Sequence, residues 1–193
     1  AVIDATPHPN GRREMRSRRK LIALVGVSAA LAALFVLLAV GLINRSPVTG
    51  RSGLTRVGKA ALEFNAPVLG GGNFELSANR GSPVVVNFWA SWCGPCRQEM
   101  PAFETIYQEY KDRDVVFVGV ATLGDTEPEA RVFAEQVGVS YPLGMDVTDE
   151  ISESYGIQAL PTTFFIDREG TLCRTHTGIA NREEFEKDIA DLL

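Results

Sequence analysis

Apolar and polar positions alternate in short runs along most of the chain, but two stretches stand apart as almost continuously apolar. The longer, Leu21 to Ile43, holds 23 residues without a charge, chiefly Leu, Ala and Val. At about 1.5 Å per residue it makes a helix of roughly 34 Å, enough to cross a hydrocarbon core of about 30 Å. A helix buried in a globular domain would keep a polar face, and this one has none. The shorter stretch, Val84-Val85-Val86-Asn87-Phe88-Trp89, is rich in strand formers and predicts a central strand buried on both faces. Around it the pattern predicts a hairpin from Leu62 to Leu69 and Phe74 to Leu76, turning on Gly70-Gly71-Gly72-Asn73. A helical pattern runs from Pro95 to about Lys111 and should kink at Pro101, which removes a backbone donor. Further strands are expected at Val115 to Ala121, Thr162 to Ile166 and Leu172 to Thr177, the last two joined by Arg168-Glu169-Gly170. Helices are expected at Pro128 to Val137 and Asp149 to Tyr155, and after Asn181, whose side chain can cap a final helix with Glu183 and Glu184 in its first turn. Together these predict an α/β domain, a central mixed β-sheet flanked by helices on both faces.

Charge divides the chain at the long apolar stretch. Six basic residues (Arg12, Arg13, Arg16, Arg18, Arg19, Lys20) crowd the positions before it, and Arg45, Arg51, Arg56 and Lys59 are spread out after it. The asymmetry predicts a single-pass cell-membrane protein with a cytoplasmic N-terminus and an extracytoplasmic domain. The chain then divides into a basic segment 1–20, a transmembrane anchor 21–43, a linker 44–56 and a globular domain 57–193. A cleaved signal peptide is the rival reading, with Ala39-Val40-Gly41 as a poor cleavage site and Ser17-Arg18-Arg19-Lys20-Leu21 as a faint twin-arginine pattern. Residues 57–193 carry 10 Lys or Arg against 22 Asp or Glu. So acidic a domain argues against nucleic-acid binding, which needs a basic surface.

The chemistry concentrates in Trp92-Cys93-Gly94-Pro95-Cys96, where the buried strand gives way to the first long helix. A helix N-terminus offers unpaired N–H groups and a positive dipole end, which favour thiolate over thiol. Pro95 suits an opening turn because it has no N–H to lose there. Cys93, at the exposed end, is the expected nucleophile, and Cys96, a turn inward, the resolving thiol. Acidity alone contributes little. Lowering a thiol pKa from about 8.5 to about 7 raises the thiolate fraction roughly 15-fold, yet the accompanying loss of nucleophilicity leaves a gain of about threefold. Docking of the target disulfide therefore matters more. Half of a zinc site is the main structural alternative for such a pair, but the chain adds only Cys173, His176 and His8 as soft ligands, and His8 precedes the apolar stretch. No metal and no cofactor are expected.

The string Val86-Asn87-Phe88-Trp89-Ala90-Ser91-Trp92-Cys93-Gly94-Pro95-Cys96-Arg97-Gln98-Glu99-Met100-Pro101 resembles the TlpA/ResA branch of membrane-tethered thioredoxin-like proteins. Leu160-Pro161-Thr162-Thr163-Phe164-Phe165-Ile166-Asp167 is similar to that branch's second signature. Val57-Gly58-Lys59, Ala66-Pro67 and Tyr155-Gly156-Ile157 fit as well, so the likeness covers about 57–193. It implies a thioredoxin fold and a redox-active disulfide between Cys93 and Cys96. Read alone, Pro161 could open a strand in an ordinary trans bond; the resemblance implies cis, with Leu160 and Pro161, beside Trp92, Gly94 and Pro95, forming the surface that binds an extended substrate. Ordinary thioredoxin has a buried Asp where this chain has Asn87, which cannot titrate. The branch instead places a Glu three residues after the second Cys, and Glu99 matches it, giving a candidate proton acceptor for Cys96 against the alternative of a solvated surface carboxylate. The stretch around Leu123 to Met145 resembles the branch's central insertion.

The activity implied is reduction of protein disulfides outside the cytoplasm, with apocytochrome c cysteines as one substrate class and a membrane or extracytoplasmic electron donor as partner, beside the lipid bilayer itself. A disulfide oxidant or isomerase and a peroxidase are rivals on the same fold, the last lacking its usual Thr-x-x before the reactive cysteine. A membrane-anchored chaperone-like binder is the non-catalytic rival. Cys173 is expected to be a half-buried strand residue, His176 an exposed one, and Trp89 part of the core.

Overall fold

The computed structural model describes residues 55–193 together with Gly26. The basic segment, the apolar stretch 21–43 apart from Gly26 and nearly all of the linker, and with them the expected anchor, lie outside the described residues.

Two strands, β1 (Asn65–Pro67) and β2 (Asn73–Glu75), form the expected hairpin, shorter than the pattern suggested because the glycine loop keeps only three residues of each strand in register. After a single 3-10 turn come β3 (Val84–Trp89), α1 (Gly94–Tyr110), β4 (Val116–Ala121), α2 (Glu127–Val137) and β5 (Leu143–Met145). The chain ends with α3 (Glu150–Tyr155), β6 (Thr162–Ile166), β7 (Leu172–Thr177) and α4 (Arg182–Ala190). Five strands form one sheet in the order β5-β4-β3-β6-β7. β3 pairs parallel with β4 and antiparallel with β6, so the sheet is mixed, with β3 at its centre. All six residues of β3 are buried, as its unbroken apolar run demands.

Side chains alternate across a strand, and each face of β3 accordingly feeds a separate core. Val84, Val86 and Phe88 join Val118 and Val120 of β4, Phe164 and Ile166 of β6, the β1–β2 hairpin and Tyr155 of α3. Val85 and Trp89 point the other way, with Phe117 and Phe165, toward α1, α2 and α4. Helix α1 buries Cys96, Glu99, Met100, Phe103 and Ile106, the three-and-four spacing of one helical face. It continues through Pro101 without a break, and Thr105 Oγ1 donates to the Pro101 carbonyl at 3.0 Å. Gly119 of β4 is where only glycine fits: a Cβ would stand 2.6 Å from Leu143 Cδ2 and 2.9 Å from Trp89 Nε1. Asn181 caps α4, as read from the sequence, and the structure shows that it does so through a reciprocal pair with Glu184.

Candidate active site

Where β3 ends, the chain turns through Ala90 and Ser91 and starts α1 with Cys93 as its cap residue. Cys93 and Cys96 are joined by a disulfide, and the Cys96 N–H points at Cys93 Sγ from 3.1 Å. This N–H is one of the orphan donors of the first helical turn, and it aims at the sulfur that would carry negative charge once reduced. Both cysteines are buried, Cys96 completely and Cys93 nearly so, whereas Gly94 and Pro95 are exposed. Trp92 is 61% exposed, an uncommon position for so large an apolar ring and one that puts it on the surface a partner must cover.

Ser91 is fixed from outside its own loop. Its N–H donates to Asp125 Oδ2 at 2.6 Å and its hydroxyl to Asp125 Oδ1 at 2.7 Å, so a carboxylate on the β4–α2 connection holds the entry to the cysteine loop. The sequence reading missed Asp125. Its only local signal, an acidic residue just before a helix, suggested capping rather than a bond 34 residues back along the chain.

Glu99 lies on the inward face of α1 and is 1% exposed, which excludes the solvated alternative. One oxygen accepts from the Ala180 N–H at 3.0 Å and the other from Asn87 Nδ2 at 3.1 Å. Asn87 Nδ2 also donates to Thr163 Oγ1 at 2.9 Å, which ties β3 to β6 beneath the helix. Burial pushes the Glu99 carboxyl above the ordinary carboxylate range; the Ala180 and Asn87 hydrogen bonds and the nearby His176 pull it partly back. Asn87 Oδ1, also buried, has no partner among the described residues. Ala180 and Thr163 escaped the sequence reading as parts of this network, since a backbone N–H in a loop has no sequence signature and Thr163 passes for an ordinary strand residue.

The Leu160–Pro161 bond is cis. Leu160 packs against the same core cluster that holds both cysteines, and the Pro161 carbonyl accepts from the Gly178 N–H at 2.8 Å. The structure thus gathers Cys93, Cys96, Glu99 and Leu160 around one core, and it corrects two expectations. Cys173 is exposed rather than half-buried, because β7 is an edge strand from which only Leu172 is fully buried. His176 is half-buried rather than exposed, its ring 6.4 Å from that of Phe185 under α4. Among the described residues no group of three or more His, Cys, Asp or Glu is placed to hold a metal ion.

Comparison with known proteins agrees with this geometry. Residues 57–174 match the AhpC/TSA family. The chain is 35% identical over 136 residues to a thiol-disulfide oxidoreductase ResA of Geobacillus kaustophilus, an alignment spanning 70% of this chain and 78% of that one. It is 35% identical over 133 residues to the thioredoxin-like protein YneN of Bacillus subtilis, covering 68% and 78% of the two chains. Among solved structures, the exposed lipoprotein thioredoxin Etrx1 of Streptococcus pneumoniae superposes with a TM-score of 0.60 at 30% identity, over 68% of this chain and all of that one.

Proposed function

The chain belongs to the AhpC/TSA family and is a thioredoxin-fold thiol–disulfide oxidoreductase of the ResA type, and from that premise we propose that it works as a protein-disulfide reductase in which Cys93 attacks, Cys96 resolves and Glu99 manages the proton. The observation that carries this reading is a fully enclosed carboxyl, Glu99, one helical turn beyond the more deeply buried cysteine.

In the reducing half-cycle the Cys93 thiolate attacks one sulfur of a substrate disulfide. A mixed disulfide forms, and the displaced substrate sulfur leaves as a thiolate that takes a proton from water. Cys96 then loses its proton to Glu99 and attacks Cys93 Sγ. The Cys93–Cys96 disulfide forms, the mixed disulfide breaks, and the second substrate sulfur leaves as a thiolate that takes the proton held by Glu99. Two electrons have passed to the substrate, and a dithiol donor must return two electrons and the Cys96 proton to the pair, its other proton going to water. Direction follows from charge. A disulfide enzyme becomes a strong oxidant when its reduced form is stabilised, and a buried anion near the sulfurs does the opposite by raising the cost of a thiolate. Glu99 therefore favours electron donation.

Placement outside the cytoplasm rests on the uncharged stretch 21–43 and its basic flank, and the exposed lipoprotein thioredoxin of Streptococcus pneumoniae offers a precedent for this fold at a cell surface. Apocytochrome c cysteines are one substrate class and a membrane or extracytoplasmic dithiol the donor. The test is capture. Cells producing the full chain with Cys96→Ser should accumulate mixed disulfides on Cys93 with extracytoplasmic proteins. Adducts confined to cytoplasmic proteins would reject the placement, and an absence of adducts would reject the reaction.

A further inference from the structure

Cys93 stands just beyond the end of the central strand, so the disulfide has two flanks, one toward β6 and one toward β4. Leu160 and Pro161 occupy the β6 flank. On the β4 flank lies a groove of about 380 Å³ between the start of α1 and the outer side of α2. Ser91 and Arg97, two residues before and four after Cys93, form its near wall; Phe133, Val132 and Pro128 of α2 form its floor and far wall. Phe133 is itself buried against Trp89, ring centres 5.1 Å apart, so the floor is backed by the core. The Arg97 guanidinium is spread over the Phe133 ring at 4.5 Å and donates to Gln136, which holds the two helices in register. Glu129, also at the edge, accepts from the Thr126 hydroxyl at the helix start. Val132 is left 53% exposed, an apolar side chain facing outward beside the exposed Pro128 on a helix whose remaining exposed residues are charged or polar.

We propose that this groove is a substrate subsite that takes one large apolar side chain, such as Leu, Met or Phe, from the polypeptide whose disulfide lies against Cys93. The inference rests on the reductase reading, and continuity with the reacting sulfurs decides the occupant. Ser91 and Arg97 bracket the cysteine motif, so a polypeptide presenting a disulfide to Cys93 covers the groove within a few residues at about 3.3 Å each. A side chain seated there removes Val132 from water, whereas a short polar one leaves it wet. α2 thereby reads the sequence beside the target disulfide, while the β6 flank handles its backbone.

The experiment uses peptide disulfides in which a single Leu is walked from two to five positions on either side of the cysteine in an otherwise Ala-based segment. With the full chain, one register of Leu should raise kcat/KM about tenfold over the all-Ala parent, the effect of burying one such side chain. Val132→Glu should return that register to the parent value, and the isosteric Val132→Thr should lose about threefold, which keeps the test valid if the charged variant folds poorly. A Leu advantage below twofold in every register, or one that survives both substitutions, overturns the subsite. A wild-type chain that reduces neither parent nor Leu peptides overturns the reductase reading itself, and the subsite with it.

Discussion

On one face of β3, Val84, Val86 and Phe88 pack into an apolar and aromatic cluster, with Thr162 opposite Phe88 at its edge; on the other, Val85 and Trp89 bracket Asn87, and a carboxyl stands above it. The first face is built for cohesion. Phe88, Phe164 and Tyr155 meet pairwise with ring centres 5.1 to 5.6 Å apart, and the one polar atom they bring inward, the Tyr155 hydroxyl, donates to the Leu62 carbonyl at 2.6 Å. The second face leaves three buried polar atoms without partners among the described residues, Asn87 Oδ1, Trp89 Nε1 and the Tyr141 hydroxyl. One strand thus divides its labour: even-numbered positions secure the fold, and odd-numbered ones border the polar network of Asn87, Thr163 and Glu99, where a charge must come and go.

Breaking the reactive side at its centre gives the largest effect. Cys93→Ser should abolish disulfide exchange, while Cys96→Ser should still attack and then stall as a mixed disulfide, both visible by mass spectrometry of quenched reactions. Next comes Glu99→Gln, which keeps the shape and removes titration. Resolution should slow by up to the 10²–10⁴-fold attributed to positioned acid–base groups, with less loss if water substitutes, and the rate's pH dependence should flatten in stopped-flow traces. The same substitution should stabilise the fold. Because the Glu99 pKa is raised in the folded state, its stabilising contribution is complete below the unfolded carboxylate pKa and is lost as pH rises through the folded value. At neutral pH Glu99→Gln should therefore melt a few degrees higher than wild type, the advantage vanishing in acid.

Phe88→Ala sharpens the contrast from the other side. It should cost about 3–5 kcal/mol in denaturant unfolding, as expected for a buried aromatic, while leaving the pH profile of exchange in the folded fraction unchanged. A shifted profile would mean that the two faces are coupled through the strand. Smallest of all, Cys173→Ser on the exposed edge strand should change stability by no more than about 0.5 kcal/mol and retain most activity. Inactivity equal to that of Cys93→Ser would refute a two-cysteine mechanism.

The parts of this organisation visible in the sequence are those governed by short-range periodicity. The unbroken run at Val84 to Trp89 announced the central strand, the helical pattern from Pro95 to about Lys111 the body of α1, and Asn181 the start of α4. Cys93 and Cys96 were legible because a strand-to-helix junction constrains them locally. Glu99 could be nominated but its burial could not, since a carboxyl at that position is enclosed only because the Ala180 N–H, 81 residues further on, and Asn87 of β3 meet its two oxygens. Asp125, Thr163 and the groove along α2 were invisible for one reason: each depends on residues brought together from distant parts of the chain. The misjudged exposure of Cys173 and His176 has a related origin, because alternation along β7 tells which residues share a face but not that the strand lies at the sheet's edge.

The grip of Asp125 on Ser91 also has a mechanical side. While a mixed disulfide exists, the substrate chain hangs from Cys93 by a single covalent bond, and every thermal tug on that chain is delivered to the loop from Ala90 to Cys93. The loop is moored at Ser91 by two short hydrogen bonds to the neighbouring connection, so the load passes sideways into β4 and α2 instead of unravelling the first turn of α1. Cys96 can then find a stationary target, since the sulfur it must strike is held in place by a fastening two residues upstream.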